Sequence, residues 1–593
     1  MSRHTYDYGL IGNCSYQAHI HKNTNIEWMC WPRFDSSFIF GAMLDDELGG
    51  EFSIKPTEAD WSTEQFYIEN TNILCTDVSS AGGRYRITDF APRFHNYERY
   101  YKPLMLIRKI EPLEGEPTVI VNCKPVGNYG KLNPEQYEAS NHIEYLGLEK
   151  ELRLTTNFSI SYIVEKRSIV LNEPKYLVLT YGAPLEAPLQ STCEAFLDRT
   201  KLYWQGWVKN MSVSNFHQEA INRSALVLKI HQYEDTGAII AAGSTSLPEA
   251  PGSGRNWDYR YCWMRDTYYT LTAFNNIGHF EELENYFNYI VNISVKTEDR
   301  FQPLYGITGK EHLVEEILPL KGYKGNTPVR VGNQAYTHIQ NDVYGQILLT
   351  LLPLFIDSRF INRERSESLK MIRQILERIE SLMEEPDAGL WEFRTLSQFH
   401  CYTYLFHWAG SQAAIKIGKA FSDQKIVEQA TRLAKRASEK IEECYDPERK
   451  VYTQAIGSPN LDASNLQLIL MNYLEPGSAM AADHLKAMEH ELKSKEGLFY
   501  RYLHKDDFGA PETTFLICAF WHVEALTSVG RIDEAIEAFE NLLKYSNHLG
   551  LLSEDVEAKT GSMWGNFPQA YSHVGLVNAA YRISRKLDRP NFI

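Results

Sequence analysis

The sequence predicts an N-terminal antiparallel β-sandwich followed by a toroid of paired helices. Three observations predict it. Short β-rich runs separated by turn clusters fill the first ~190 residues. The hydrophobic period changes to a helical one beyond residue 215. About a dozen helical segments then follow, an even number that suits pairs closing on themselves.

The β-rich runs include Tyr85-Arg-Ile-Thr-Asp89, Thr118-Val-Ile-Val-Asn122 and Tyr176-Leu-Val-Leu-Thr180. Turn clusters such as Ala81-Gly-Gly83 and Asn172-Glu-Pro174 separate them, which places a sandwich over 1–190. Between Glu194 and Trp204 the spacing turns helical, and a linker helix is expected over 191–214. The remainder, 215–593, reads as the helical, catalytic domain. In 366–383, Leu369, Ile372, Leu376, Ile379 and Leu382 share a face; in 426–441, Val427, Ala430, Ala434, Ala437 and Ile441 do the same. A further helix is expected over 464–474. A chain of 593 residues exceeds what one core can hold, so two large domains are expected.

Composition excludes several classes. Sixty Lys and Arg against 76 Asp and Glu leave a net charge of −16, which repels phosphate backbones, so no nucleic-acid partner is expected. No apolar stretch reaches ~20 residues, so no membrane span is expected. Nine cysteines, scattered from Cys14 to Cys518 without CxxC pairs, read as reduced thiols and a cytoplasmic setting, and the N-terminus carries no long apolar leader core. Zinc-type Cys/His spacing, HExxH and calcium loops are missing, so neither metal nor cofactor is expected. Nothing in the sequence sets the oligomeric state.

Four loops combine Trp, Tyr, Arg, acids and Gly, where solvated loops would be poor in bulky aromatics. Arg255-Asn-Trp-Asp-Tyr-Arg-Tyr-Cys-Trp-Met-Arg-Asp266 precedes an apolar helix. Arg265 donates and Asp266 accepts, so together they can hold a hydroxyl from both sides. A single such pair reads equally as a cap and a structural ion pair; the whole cluster favours a polyhydroxylated ligand. In Asp387-Ala-Gly-Leu-Trp-Glu-Phe-Arg394, Glu392 is flanked by Trp391 and Phe393. Desolvation there would raise its pKa and keep its proton, as a general acid requires; a surface Glu paired with Arg394 is the even alternative. Gly550-Leu-Leu-Ser-Glu-Asp-Val-Glu557 offers Glu554 as a base that strips a proton from water, although an acidic loop taken alone is more often solvated. The segments 315–333 and His338-Ile-Gln-Asn-Asp-Val-Tyr-Gly345 suit a hydroxyl-binding wall, with a structural turn as the alternative; His338 itself reads as a supporting residue.

In this order the motifs resemble glycoside hydrolase family 15, which holds glucoamylases, glucodextranases and some bacterial and archaeal trehalases. The resemblance covers almost the whole chain, from Tyr8-Gly-Leu-Ile-Gly-Asn13 and Trp28-Met-Cys-Trp-Pro-Arg-Phe-Asp35 to Gly565-Asn-Phe-Pro-Gln569. It implies a β super-sandwich, a helical linker and an (α/α)6 barrel. It implies Glu392 as general acid, Glu554 as general base, Arg265 and Asp266 as the grip on the non-reducing glucose, and Trp391 as a wall. Trp257, Tyr259, Arg394, Gln340 and Asp342 complete the expected substrate-binding set. Two positions depart from the family pattern, Tyr404 where many relatives have Lys and Asn341 where Leu is usual, and both bear on the wall that accepts the leaving group.

The expected activity is an inverting, exo-acting α-glucosidase that frees β-glucose from α-1,4-glucans or maltooligosaccharides, glucoamylase-like, with a trehalase second. A glycoside phosphorylase or a non-catalytic sugar binder is more remote, because neither needs Glu554. Inversion requires two carboxyl groups ~6.5–9.5 Å apart with a water between one of them and the sugar. Glu554 is therefore expected ionised in a polar setting and Glu392 protonated among apolar neighbours.

Overall fold

The protein was analysed as a computed structural model that describes residues 3–296, 300–360 and 365–587; the ends of the expected sandwich and barrel ranges, 1–2 and 588–593, lie outside them. The strands from Tyr8–Gly12 to Lys175–Tyr181 are antiparallel throughout. The largest sheet has eight strands, with Met105–Gly115 between Lys175–Tyr181 and Gly83–Phe90 at its centre. A three-stranded sheet containing Thr118–Lys124 and Glu51–Pro56, and a four-stranded meander from Tyr8 to Phe40, complete the main layers. Thr118–Lys124 explains its own placement: Val119, Val121 and Cys123 are buried and the residues between them are not, the period of two that a half-buried strand needs. Fully buried Arg108 ties the layers together. It pairs with Asp89 (Nε–Oδ1 2.8 Å) and donates to the carbonyls of Phe52 and Thr24, both at 2.7 Å.

The helix Leu189–Lys209 leads from the sandwich to the helical domain. Six inner segments there form a ring: Met264–Ile277, Val343–Ile356, Cys401–Ala420, Ala463–Leu470, Leu516–Ser528 and Ala570–Lys586. Each packs on the next, and the last packs on the first, which closes the barrel. Gln218–His231, Glu281–Lys296, Arg365–Leu382, Gln424–Glu442, Ala479–Leu492 and Ile532–Leu543 form the outer layer. Sequence decides which layer a helix joins. Leu516–Ser528 is buried along its whole length, whereas Gln424–Glu442 is buried only at Ile426, Ala430, Leu433, Ala434, Ala437 and Ile441, one stripe at helical spacing. Two inner helices cross at glycines: a Cβ on Gly345 would lie 2.0 Å from the Phe406 carbonyl oxygen, so no other residue permits that approach.

The fourth inner segment differs from the helix expected over 464–474. Ala463–Leu466 is a 3-10 turn capped by Asp462, whose side chain accepts from the Ser464 amide at 2.8 Å, and Gln467–Leu470 adds one α-turn. The chain then turns through Asn472 in the left-handed region (φ 58°), which ends the helix.

The sandwich braces the loops at one end of the barrel. Trp28 Nε1 donates to the Gly243 carbonyl at 2.7 Å. Arg260 and Asp258, both fully buried, form a two-point pair (2.9 and 2.7 Å), and Arg260 also donates to the Ser36 carbonyl at 2.7 Å and to Tyr129 Oη at 3.2 Å. Removing one partner strands a charge in a dry interface. Arg260→Ala is expected to cost about 3–5 kcal/mol, read as a lowered midpoint in chemical denaturation; an unchanged midpoint would show that the pair does not brace the interface.

Candidate active site

The four motifs meet at one end of the barrel because each precedes an inner helix: 241–263 leads into Met264–Ile277, 333–342 into Val343–Ile356, 387–400 into Cys401–Ala420, and 550–569 into Ala570–Lys586. The segment 501–515, for which no motif was recognised, leads into Leu516–Ser528 and joins them. Together they enclose a cavity of about 800 Å³, its open mouth included. Its deep end is lined by Arg265, Asp266 and Tyr571, all buried; its mouth is lined by the half-buried Arg394 and Phe508 and the exposed Asp507.

Glu392 sits on a constrained turn. Asp387 organises it by accepting from the amides of Asn341 (2.9 Å) and Gly389 (3.2 Å) and from Thr403 Oγ1 (2.8 Å), with His400 Nδ1 also at 2.8 Å. Burial opposes the ionised form of Asp387, but these partners outweigh it and hold the carboxyl below its usual range. Gly389 has φ 66°, and a Cβ there would collide with the His400 ring at 2.7 Å. Glu392 itself has φ 64°. A left-handed conformation costs a non-glycine residue about 1–2 kcal/mol, strain that clusters at functional positions. The turn aims the Glu392 carboxyl into the cavity, where Trp263 Nε1 donates to Oε1 at 2.6 Å and Arg265 Nη2 lies 3.3 Å away.

Glu554 is 1% exposed. Oε1 accepts from Tyr259 Oη at 2.8 Å, and Oε2 from the Asn566 amide at 3.0 Å. Gly565 packs so closely that a Cβ there would lie 2.5 Å from the Glu554 Cβ. Burial raises the Glu554 pKa to about 8 and the nearby Glu249 carboxylate adds to the rise; the bonds from Tyr259 and Asn566 and the charge of Arg501 oppose it. Glu554 meets the cavity through Tyr259, whose ring lines the wall. The rings of Tyr259 and Trp263 lie 5.4 Å apart, edge to face. One donates to Glu554 and the other to Glu392, so two aromatic donors stand between the carboxyl groups.

The enclosure expected at Glu392 is found at Glu554 instead. Desolvation falls on Glu554, while Glu392, with its side chain 20% exposed, faces a guanidinium and an indole N–H. The reason is directional. Trp391 turns its Nε1 to Asp462 (2.8 Å) and its ring toward Phe515, and Phe393 packs near Tyr502, so neither sequence neighbour encloses the Glu392 carboxyl. The acidic loop at 554–557, read alone as solvated, is buried at Glu554 and Asp555.

Trp257, Tyr259, Arg265, Asp266, Trp391 and Arg394 all line the cavity. Asp266 lies 3.6 Å from Arg265 Nε, and burial raises its pKa to about 6, with Arg265 opposing and Glu392 adding. Trp257 is clamped by the guanidinium groups of Arg330 and Arg394, both 4.7 Å from its ring, and donates to Glu249 Oε1 at 2.9 Å. Gln340 and Asp342 do not line the cavity. Gln340 Oε1 accepts from Arg265 Nη1 at 3.2 Å and so supports it from behind; Asp342 stands before the helix Val343–Ile356 and accepts from Gln346 Nε2, its pKa raised to about 7 by burial and Asp387. Asn341 and Tyr404 are likewise off the wall: Asn341 is fully buried, with its amide on Asp387, and Tyr404 bonds the Met383 carbonyl.

Several lining residues escaped the sequence reading. Trp263, His338 and Tyr571 lay inside recognised motifs but were not placed in the substrate-binding set, His338 having been read as a supporting residue. Glu249, Arg501, Asp507 and Phe508 carried no local signal, because their partners are remote in sequence: Arg501 Nη2 to Glu249 Oε2 (2.7 Å), and Asp507 to the amides of Arg394 (2.6 Å) and Thr395 (3.1 Å). No helix among the described residues is long and apolar enough to cross a membrane, and the nine cysteines are buried and unpaired.

Comparison with known proteins assigns the chain. The profile of Glycosyl hydrolases family 15 matches residues 215–581, and that of Trehalase-like, N-terminal matches 3–166. A trehalase of Thermoplasma volcanium is 31% identical, covering 98% of this chain and 93% of the relative. A trehalase of Mycobacterium tuberculosis is 30% identical, covering 98% and 89%. Among solved structures, a bacterial glucoamylase complexed with acarbose shares the fold over 98% of this chain and 95% of its own, with a TM-score of 0.69 at 15% identity. Fold, site and sequence thus agree that the chain belongs to glycosyl hydrolases family 15 and is a glycosidase.

Proposed function

We propose that this glycosidase hydrolyses α,α-trehalose with inversion, Glu392 acting as general acid and Glu554 as general base. The observation that carries the reading is the pair of carboxyl groups held on separate donors, Trp263 and Tyr259, around one enclosed cavity. The substrate preference expected from sequence, α-1,4-glucans first and trehalose second, is inverted here. Relatives at about 30% identity that align along nearly the full chain, sandwich included, are trehalases, whereas the glucoamylase likeness is one of fold. A cavity ringed by paired acids and arginines suits a small polar ligand.

The chemistry follows from where the groups point. Glu392 opens into the cavity and can protonate the oxygen joining the two glucose units as that bond breaks. Glu554, oriented by Tyr259 and the Asn566 amide, takes a proton from a water that attacks the anomeric carbon from the opposite side. One trehalose and one water give one β-glucose, from the attacked half, and one α-glucose, from the departing half. Arg265 and Asp266 at the deep end supply donor and acceptor for the hydroxyls of the attacked half. The developing positive charge of the transition state lies near Glu392 and Glu554, and no metal is needed for either proton transfer.

NMR of the first turnovers should show equal α- and β-glucose; α-glucose alone would mean retention and overturn the water-attack scheme. Activity on maltooligosaccharides with none on trehalose would restore the glucan reading. Glu392→Gln and Glu554→Gln should each lower kcat by roughly 10²–10⁴-fold with sugar binding retained, measured by steady-state kinetics and calorimetry. Near-normal turnover in either removes its role.

The raised pKa of Glu554 sets a pH test of the roles. A base works only when ionised, so kcat/KM should rise with pH through the Glu554 pKa, above the ordinary carboxylate range. Glu249→Gln removes a like charge and frees Arg501, and both changes favour ionised Glu554. The acidic limb should therefore move to lower pH. Movement of the alkaline limb instead would assign Glu554 as the acid.

A further inference from the structure

The polar groups at the mouth of the cavity are almost all committed to one another. Arg394 donates to Gln334 Oε1 (2.9 Å) and Glu315 Oε2 (2.9 Å), and Asp507 is held by the amides of Arg394 and Thr395. Arg255 grips Asp506 through two bonds, at 2.8 and 2.5 Å. Asn333 accepts from the Ala335 amide and donates to the Asp258 carbonyl. His338 is the exception. It lines the same cavity, its Nδ1 is buried without a partner, and among the described residues neither ring nitrogen takes a hydrogen bond. A buried polar atom left unpaired costs about 1–3 kcal/mol, and such an atom on the wall of a cavity points to a ligand that completes it.

Its position along the cavity identifies which part of the ligand. The charges that act most on His338 are Glu392, Arg394, Asp507 and Glu315, groups beside Glu392 and at the mouth. The backbone there is fixed, since the 3-10 turn Gln334–Thr337 is capped by Asn333 and the His338 amide closes it on the Ala335 carbonyl at 2.9 Å. Burial lowers the His338 pKa, which favours a neutral ring able to donate from one nitrogen and accept at the other.

We propose that His338 recognises the leaving-group sugar, its unpartnered imidazole hydrogen-bonding a hydroxyl of the glucose unit that departs from Glu392. This assignment rests on the trehalose reading and deepens it: Arg265 and Asp266 hold one half of the disaccharide, and His338 reads the other. A sugar hydroxyl both donates and accepts, so one ring of either tautomer can be satisfied by it.

The test compares two substrates that share the attacked glucose but differ in the leaving group, trehalose and α-glucosyl fluoride, in wild type, His338→Ala and His338→Gln. With trehalose, His338→Ala should lose roughly ten- to a hundredfold in kcat/KM, the scale of one unmade buried hydrogen bond. With the fluoride, which has no leaving-group sugar, kcat/KM should stay within about twofold of wild type, and the same preparation thereby reports intact folding and water activation. His338→Gln, which keeps a donor and an acceptor on a shorter reach, should recover part of the trehalose activity. Equal losses on both substrates, or no loss on trehalose, would overturn the assignment while leaving the trehalose reading intact. A wild-type protein that turns over the fluoride and not trehalose would sink both.

Discussion

Closure of the inner helical ring is the constraint on which the site depends. Ala570–Lys586 packs on Met264–Ile277, and because outer helices return the chain after each inner one, every inner helix starts at the same end of the barrel. Five of the entering loops therefore converge on the cavity, although they are spread over more than three hundred residues of sequence. The convergence also brings together the N-terminal ends of the inner helices, where backbone N–H groups and helix dipoles favour negative charge. That field suits a site built from carboxyl groups at 266, 392 and 554. The ring is tight enough that glycine is required where Val343–Ile356 meets Cys401–Ala420, so small changes in helix spacing would be transmitted to the loops.

Within that frame, the aromatic donors and not the carboxyl groups set the geometry. Tyr259 and Trp263 are four residues apart on one loop, lie in contact, and each holds one of the two glutamates. Side chains that reach the cavity from opposite sides of the barrel are thus referenced to a single rigid segment. Behind it, Asp258 and Arg260 from the same loop lock into the sandwich. The N-terminal domain therefore acts on the chemistry indirectly, by fixing the loop that fixes both carboxyl groups. Rigid support of this kind is what keeps reacting groups within the fraction of an ångström that catalysis needs.

The charge arrangement in the site places burial on Glu554 and polar contacts on Glu392, the base and acid we propose. Glu249, near Glu554 and paired with Arg501, adjusts the electrostatics of Glu554 without lining up with any sequence motif. On the acid side, Arg265 is shared among Glu392, Asp266 and Gln340, so a ligand that engages Arg265 also changes what Glu392 faces. Ligand binding is thus coupled to the surroundings of Glu392 through Arg265 and its partners.

By itself, the sequence determined the order of layers and the chemistry available. Periods of two and 3.6 separated sandwich from barrel, and stripe width separated outer helices, such as Gln424–Glu442, from inner ones, such as Leu516–Ser528. Dense aromatic and charged loops marked Trp257, Tyr259, Arg265, Asp266, Trp391, Glu392, Arg394 and Glu554, all of which meet in or behind one cavity wall. Tertiary structure decided what local spacing cannot encode. Gln340 and Asp342 fell behind the wall because helix entry turned them toward Arg265 and Gln346. Segment 501–508 entered the site through partners 112 to 252 positions away, as Arg501 did through Glu249. Burial landed on Glu554 rather than Glu392 because desolvation depends on which side chains enclose a group in space, and the flanking rings of Trp391 and Phe393 point elsewhere.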